Sequence, residues 1–129
     1  MPLLAPVSIG DLLDRITILG LKAQHAAGPA LGNVRAELAA LEAAWVGAGL
    51  PADPPERAEL SAVNAALWDV EDALRLHEAR GEFGPDFVAR ARSVYTINDR
   101  RAALKRAINL RLGSELVEEK VLPGYGAGG

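Results

Sequence analysis

The sequence of residues 91–109 is ARSVYTINDRRAALKRAIN, which has the periodicity of a long helix. Its apolar positions share one face of a helical wheel with the residues that follow: Val94, Ile108 and Leu112. Polar side chains interrupt or edge this face: Asn98, Arg101, Lys105 and Asn109. Because an unpaired buried charge is strongly destabilising, these groups must either pair within the fold or hold a ligand.

This stretch belongs to the last of four predicted helices. The first begins after Ser8, which can cap it with Asp11 in the place of a capping-box acid. Gly28 and Pro29 end that helix. The second carries an apolar seam with steps of three and four over residues 31–45, as in helical bundles.

The third helix is predicted to start with Asp53 as its cap, Pro54 as its first residue and Glu56 as the capping-box acid. The remaining helix ends are marked by Gly81 after the third helix, Gly84 and Pro85 at the start of the fourth, and Leu112 and Gly113 at its end. No strand-like alternation of apolar residues is present. The sequence therefore predicts an all-α, antiparallel bundle of four main helices with short connections.

The chain has 129 residues, enough for one domain with a buried core, which we assign to residues 1–122. Residues 114–120 are expected to fold back, and the glycine-rich tail, residues 123–129, is expected to be disordered. The absence of cysteine excludes disulfides and thiolate metal sites. The sequence has neither a transmembrane stretch nor a basic signal-peptide start, so we expect a cytoplasmic protein with no membrane insertion.

Charge is distributed unevenly along the chain. Residues 86–113 contain seven basic and two acidic groups, a charge of +5, which leaves −8 for the rest of a chain whose net charge is −3. The overall negative charge argues against nucleic acid as a partner. The basic helix is either neutralised by acidic neighbouring helices or forms an anion site.

The ordinary interpretation of the polar cluster is an internal network. The third helix presents Asn64 and Glu71 on the flank of its apolar stripe. A pair between Glu71 and Arg101 or Lys105 would satisfy both charges, with the two asparagines as hydrogen-bonding links. This interpretation predicts a polar network between the third and fourth helices.

The alternative is a pocket for a small anion, in which Arg supplies a two-pronged donor and Lys a point charge for carboxylate or phosphate. Trp68 and Tyr95 flank the cluster, either as rim packing or as part of such a pocket. The candidate ligand-binding residues are Asn64, Trp68, Glu71, Tyr95, Asn98, Arg101, Lys105 and Asn109.

No metal site or cofactor is predicted. Asp11 and Asp14, like Asp69 and Asp72, have a spacing that lets two helical carboxylates share a divalent ion. The helical wheel turns both pairs away from the main apolar stripes, which favours a solvated acidic surface. The sequence also contains neither a phosphate-binding glycine loop nor a dinucleotide fingerprint.

The first helix carries a second apolar patch. Ile18 and Leu21 lie away from its main stripe. A small bundle need not cover both faces of this helix with its own residues, so we predict a homodimer.

Three blocks carry a resemblance to a known family. They are residues 8–19 (SIGDLLDRITIL), residues 63–72 (VNAALWDVED) and residues 91–120 (ARSVYTINDRRAALKRAINLRLGSELVEEK). Together they resemble a family of small bacterial proteins of unassigned function, and the likeness extends over nearly the whole chain. The resemblance implies a stand-alone helical domain.

A looser analogy, at the level of the fold alone, is to the all-helical chorismate mutase, a dimeric bundle that grips a dicarboxylate with Arg and Lys side chains. The corresponding cations would be Arg15, Lys22, Arg101 and Lys105. We interpret the chain as a binding or interaction module built around an internal polar network. The alternative is an enzyme or sensor of a small anionic metabolite.

Overall fold

The computed structural model describes residues 1–125 and contains four α-helices. They are α1 (Ile9–His25), α2 (Gly28–Gly47), α3 (Pro55–Arg80) and α4 (Pro85–Arg111). The described part of the chain contains no strand, which confirms the all-α prediction. Residues 126–129, the end of the predicted disordered tail, lie outside the described residues.

Helix α1 is the central element, since it packs against each of the other three helices. Gly10 contacts Asn109, near the end of α4, so α1 and α4 run antiparallel. Helices α3 and α4 are also antiparallel, because Glu56 pairs with Arg111 at one end and His77 with Asp86 at the other. The predicted antiparallel bundle with short connections is therefore confirmed.

The hydrophobic core is formed where the four helices meet. Its buried members are Leu12, Leu13, Ile16, Trp45, Leu60 and Ile108. The Trp45 indole nitrogen donates to the Pro51 carbonyl at 2.6 Å, which satisfies the one polar atom of this side chain. Full burial of a single large apolar side chain stabilises a fold by about 1.5–3 kcal/mol, so this cluster accounts for much of the driving force for folding.

Most of the predicted helix ends are confirmed. The Ser8 hydroxyl accepts from the Asp11 backbone N–H at 3.0 Å and caps α1. Gly81 and Gly113 both adopt the left-handed conformation, with φ of 64° and 70°. Helix α1, however, ends at His25, and Gly28 already belongs to α2.

The predicted start of α3 is wrong by one residue. Pro54 is the cap and Pro55 the first helical residue, and no side chain caps this end. Asp53 therefore does not cap, and Glu56 does not complete a capping box, because its carboxylate is held by Arg111. Two consecutive prolines both suit the first helical position, so the local sequence does not decide between them.

The apolar patch predicted on α1 is not an exposed surface. Leu21 is buried and Ile18 is half-buried within the bundle, since α1 is covered by helices on several sides. Among the helices of residues 1–125, none combines the length and the apolar character that a membrane span requires.

After α4 the chain turns at Gly113 and returns along the helix. We call residues 114–125 the C-terminal segment. It folds back as predicted, but it contains no helical turn. Its side chains lie against α4, where Glu118 reaches Lys105 and Lys120 reaches Asp99.

Candidate functional site

The polar cluster is centred on Asp14, a carboxylate of α1 whose side chain is 2% exposed. It accepts from Arg101 Nε at 3.0 Å and from Arg101 Nη2 at 2.6 Å. Asn64 Nδ2, from α3, donates to the same carboxylate at 2.9 Å and to the Thr17 hydroxyl at 3.1 Å. The buried charge is thus both paired and hydrogen-bonded, which is the condition for its stability in the interior.

The Arg101 side chain is 28% exposed and pairs with the buried Asp14 carboxylate. Its hydrogen bonds with Asp14 raise the pKa of the guanidinium above its ordinary value, against the lowering that burial produces. Both of its donors toward Asp14 are charge-assisted and lie in the geometry of a two-bond fork. The side chain is therefore fixed in position.

Lys105 lies one helical turn further along α4, with a side chain that is 11% exposed. Its ammonium is 3.4 Å from Asp11 Oδ1 and 4.0 Å from Asp14 Oδ2, both on α1. A third carboxylate, that of Glu118 in the C-terminal segment, approaches it to 2.7 Å. Lys105 thus pairs with two carboxylates of α1, and the C-terminal segment covers its ammonium with a third.

A close approach of two helices lies beside Lys105. A Cβ atom on Gly10 would be 2.4 Å from the Lys105 carbonyl oxygen, so only glycine permits this packing of α1 on α4. The Gly10 backbone N–H donates to Asn109 Oδ1 at 2.6 Å. This contact fixes the orientation of the Asn109 amide, because only the oxygen can accept from an N–H group.

The other half of that amide is unsatisfied. Asn109 is 1% exposed, and its Nδ2 has no hydrogen-bond partner within residues 1–125. A buried donor without an acceptor costs about 1–3 kcal/mol.

A cavity of about 750 Å³ lies between α4 and the C-terminal segment. Its polar and charged lining residues are Asn98, Asp99, Arg101, Lys105, Arg106, Asn109, Glu118, Glu119 and Lys120. The structure therefore brings Asn98, Arg101, Lys105 and Asn109 to one cavity, which lies between α4 and the C-terminal segment.

The C-terminal segment contributes its own charges to this cavity. Glu119 Oε1 is 3.1 Å from Arg106 Nη1, and Lys120 pairs with Asp99. The Tyr125 hydroxyl also donates to Asp99. The hydrogen bond from Lys120, followed by that from Tyr125, lowers the pKa of Asp99, and the same contact raises the pKa of Tyr125.

The predicted partner of the cationic pair is wrong. Glu71 is exposed on α3 and is replaced in that role by Asp14 and Asp11. The network accordingly links α1 with α4, and α3 contributes through Asn64 rather than Glu71. The prediction that Asp11 and Asp14 form a solvated surface is wrong for the same reason, since the flank of α1 that carries them faces α4.

The aromatic candidates lie outside the cavity. The Trp68 ring stacks on His25 with a centroid distance of 4.4 Å, at the end of α1 remote from Gly10. Tyr95 is exposed on α4, and its ring lies 5.9 Å from that of Tyr125. Their arrangement agrees with rim packing.

The four cations of the chorismate mutase analogy do not converge. Arg15 is exposed and pairs with Asp11, one turn earlier in α1, and Lys22 is exposed near the end of that helix. Only Arg101 and Lys105 reach the cavity. Across residues 1–125 no group of three or more potential metal-ligating side chains is assembled.

A second ion pair, between the buried Glu56 carboxylate and the half-exposed Arg111 guanidinium, ties α3 to the end of α4. Arg111 donates from Nε and Nη2 to the two Glu56 oxygens at 2.6 and 2.7 Å. These hydrogen bonds lower the pKa of Glu56, and burial opposes them with a smaller effect. The pair fixes the end of α4 from which the C-terminal segment departs.

Residues 4–125 match a family of unknown function (DUF6165), and the chain belongs to that family. The resemblance to a family of unassigned function is therefore confirmed. No curated protein and no solved structure matches the chain.

Proposed function

We propose that the protein is a binding module that holds a small carboxylate or phosphate in the cavity between α4 and the C-terminal segment. The observation that carries this proposal is the contact of the Lys105 ammonium with a carboxylate, that of Glu118, in a cavity that Asn109 also lines. An ammonium held in position by other residues is a suitable contact for a carboxylate or phosphate oxygen.

The roles of the two cations differ. Lys105 is the direct anion contact, because its ammonium already accommodates a carboxylate, that of Glu118, on its cavity side. Arg101 is a positioning residue, since its Nε and Nη2 groups donate to Asp14 and so hold α4 against α1. Asn98 lines the same cavity and supplies a further polar group.

The proposal concerns binding rather than catalysis. The charged groups of the cluster form ion pairs with one another, and Lys105 pairs with Asp11 and Asp14. In this proposal the internal network between α1 and α4 places the Lys105 ammonium at the anion site. A ligand needs only to take the position that the Glu118 carboxylate occupies.

A thermal-shift experiment tests this proposal. Succinate, citrate and inorganic phosphate are compared with sodium chloride at the same ionic strength, because added salt alone screens surface charges. We expect at least one of these anions to raise Tm by several degrees, since a ligand that binds only the folded state stabilises it. The shift should be lost in Lys105→Met and kept in Arg100→Gln, which alters an exposed cation on the same helix.

Two results would contradict the proposal: no anion shifts Tm of the wild-type protein beyond the sodium chloride control, or the shift persists unchanged in Lys105→Met.

The homodimer is a separate proposal, and a different surface now supports it. Opposite its buried side, helix α2 presents a row of exposed small apolar side chains: Ala36, Ala39, Ala40, Ala43 and Val46. An exposed apolar surface of this kind favours an association through α2. Light scattering tests it, and a monomer mass at working concentration would contradict it.

A further inference from the structure

The C-terminal segment occupies the proposed anion site with two neighbouring carboxylates. Glu118 Oε2 lies 2.7 Å from Lys105 Nζ, and Glu119 Oε1 lies 3.1 Å from Arg106 Nη1. Consecutive residues of the segment thus meet consecutive cations of α4. The segment thus presents two carboxylates to cations that line the cavity, as a dicarboxylate ligand would.

This part of the segment is held weakly. The side chains of Glu118 and Glu119 are 60% and 67% exposed, and ion pairs at such exposure contribute little to stability. Val121 and Leu122 line the cavity but remain largely exposed, so they add little apolar burial. The Lys120–Asp99 pair is also largely exposed, at 38% and 41% of the side chains, so release of residues 115–122 costs little free energy.

The cations beneath the segment are held independently of it. Lys105 keeps Asp11 and Asp14 as partners on α1 when Glu118 leaves. The segment also has a fixed pivot, because the Ser114 hydroxyl accepts from the Ile9 backbone N–H at 3.0 Å and the Ser114 N–H donates to the Asn109 carbonyl at 2.8 Å. The residues beyond Ser114 can detach without loss of these contacts.

We infer that residues 115–122 act as an internal competitor for the anion site, and that the external ligand which displaces them is a dicarboxylate. One of its carboxylates takes the place of Glu118 at Lys105, and the other takes the place of Glu119 at Arg106. This inference rests on the proposed function and adds to it the ligand class and the means by which access is regulated.

Calorimetric titration of the full chain with succinate and glutarate tests the competition. Glu118→Gln removes the competing charge and keeps the shape of the side chain. Glu115→Gln is the matched control, because Glu115 is an exposed residue of the same segment outside the cavity lining. We expect Glu118→Gln to bind the dicarboxylate about two- to five-fold more tightly than the control, in keeping with the strength of one exposed ion pair.

The displacement itself is measured by trypsin cleavage after Lys120. A saturating dicarboxylate should speed the appearance of the product that begins at Val121, because the segment then leaves α4. Acetate and inorganic phosphate at equal ionic strength serve as probes with a single anionic centre and should bind more weakly than the dicarboxylates.

The outcomes separate this inference from the proposed function. No binding of any probe to the wild type or to either variant contradicts the proposed function, and the inference falls with it. Binding that is equal in Glu118→Gln and Glu115→Gln, unchanged cleavage after Lys120 in saturating dicarboxylate, or acetate binding as tight as succinate contradicts the inference alone.

Discussion

Arg101 and Asp14 form a two-bond ion pair across the bundle, with Arg101 Nε 3.0 Å from Asp14 Oδ1 and Nη2 2.6 Å from Oδ2. The pair joins residues 87 positions apart in the chain, so it forms only when α4 is in register with α1. A buried pair of this kind is costly to break, because the remaining partner keeps an uncompensated charge. It therefore favours one register over neighbouring ones.

The first prediction concerns this pair. We expect Asp14→Asn to lower the free energy of unfolding by about 1.5–3 kcal/mol, since the charge-assisted hydrogen bonds from Arg101 are weakened. Urea denaturation followed by circular dichroism measures the change. Asp69→Asn is the control, because Asp69 is exposed on α3 and its replacement should change stability by less than about 0.5 kcal/mol. Equal changes in the two variants would show that the pair has no structural importance.

The second prediction concerns the contact between α1 and α4. Gly10→Ala places a methyl group against the Lys105 carbonyl and should destabilise the protein by about 1–3 kcal/mol, because backbone rather than a flexible side chain must move. Gly20→Ala in the same helix meets nothing within 4 Å and should be stabilising by about 0.5–1 kcal/mol through helix propensity.

Thermal and urea unfolding of the two glycine variants are compared directly. Opposite signs are expected. A Gly10→Ala variant as stable as the wild type would mean that α1 and α4 do not approach as closely as the geometry requires.

The third prediction concerns pH. The Arg111 hydrogen bonds hold the pKa of Glu56 below its ordinary value of 4.5, so the unfolded chain takes up this proton first as the pH falls. The stability that the pair contributes is therefore present above pH 4.5 and is lost as the pH falls through the lower, folded-state pKa. Glu56→Gln should be less stable than wild type at neutral pH, and this difference should shrink in acid.

Urea denaturation between about pH 7 and about pH 3 measures that dependence. Glu59→Gln, an exposed position about one turn later on α3, is the control, and its stability should depend on pH as that of the wild type does. If the difference in unfolding free energy between Glu56→Gln and the wild type stayed constant over the whole pH range, the lowered pKa of Glu56 would be ruled out.

The helices themselves were predictable because their signals are local. Ser8 caps α1 and Gly113 takes the left-handed conformation, and each depends only on a few neighbouring residues. The inward direction of Lys105 and Asn109 was likewise readable from the period of α4 alone.

The partners of these residues were not predictable in the same way. The helical wheel of α1 describes one apolar stripe, whereas α1 contacts three helices and uses a second flank for α4. Asp14 lies on that flank, and a choice between Asp14 and Glu71 as the partner of Arg101 requires the helix arrangement, which is not local. Gly10 was the available signal, since a glycine in the first turn of a helix marks a close approach.

The central claim is that Lys105 and Asn109 belong to one anion site, and calorimetric titration with succinate tests it most directly in Asn109→Asp. This change keeps an oxygen for the Gly10 N–H and removes the donor that faces no partner within residues 1–125. Asn33→Asp adds the same charge at an exposed position of α2 and is the control. The account predicts that Asn109→Asp remains folded and binds succinate at least about ten-fold more weakly than Asn33→Asp, a difference of about 1.4 kcal/mol. Equal affinity in these two variants would contradict it.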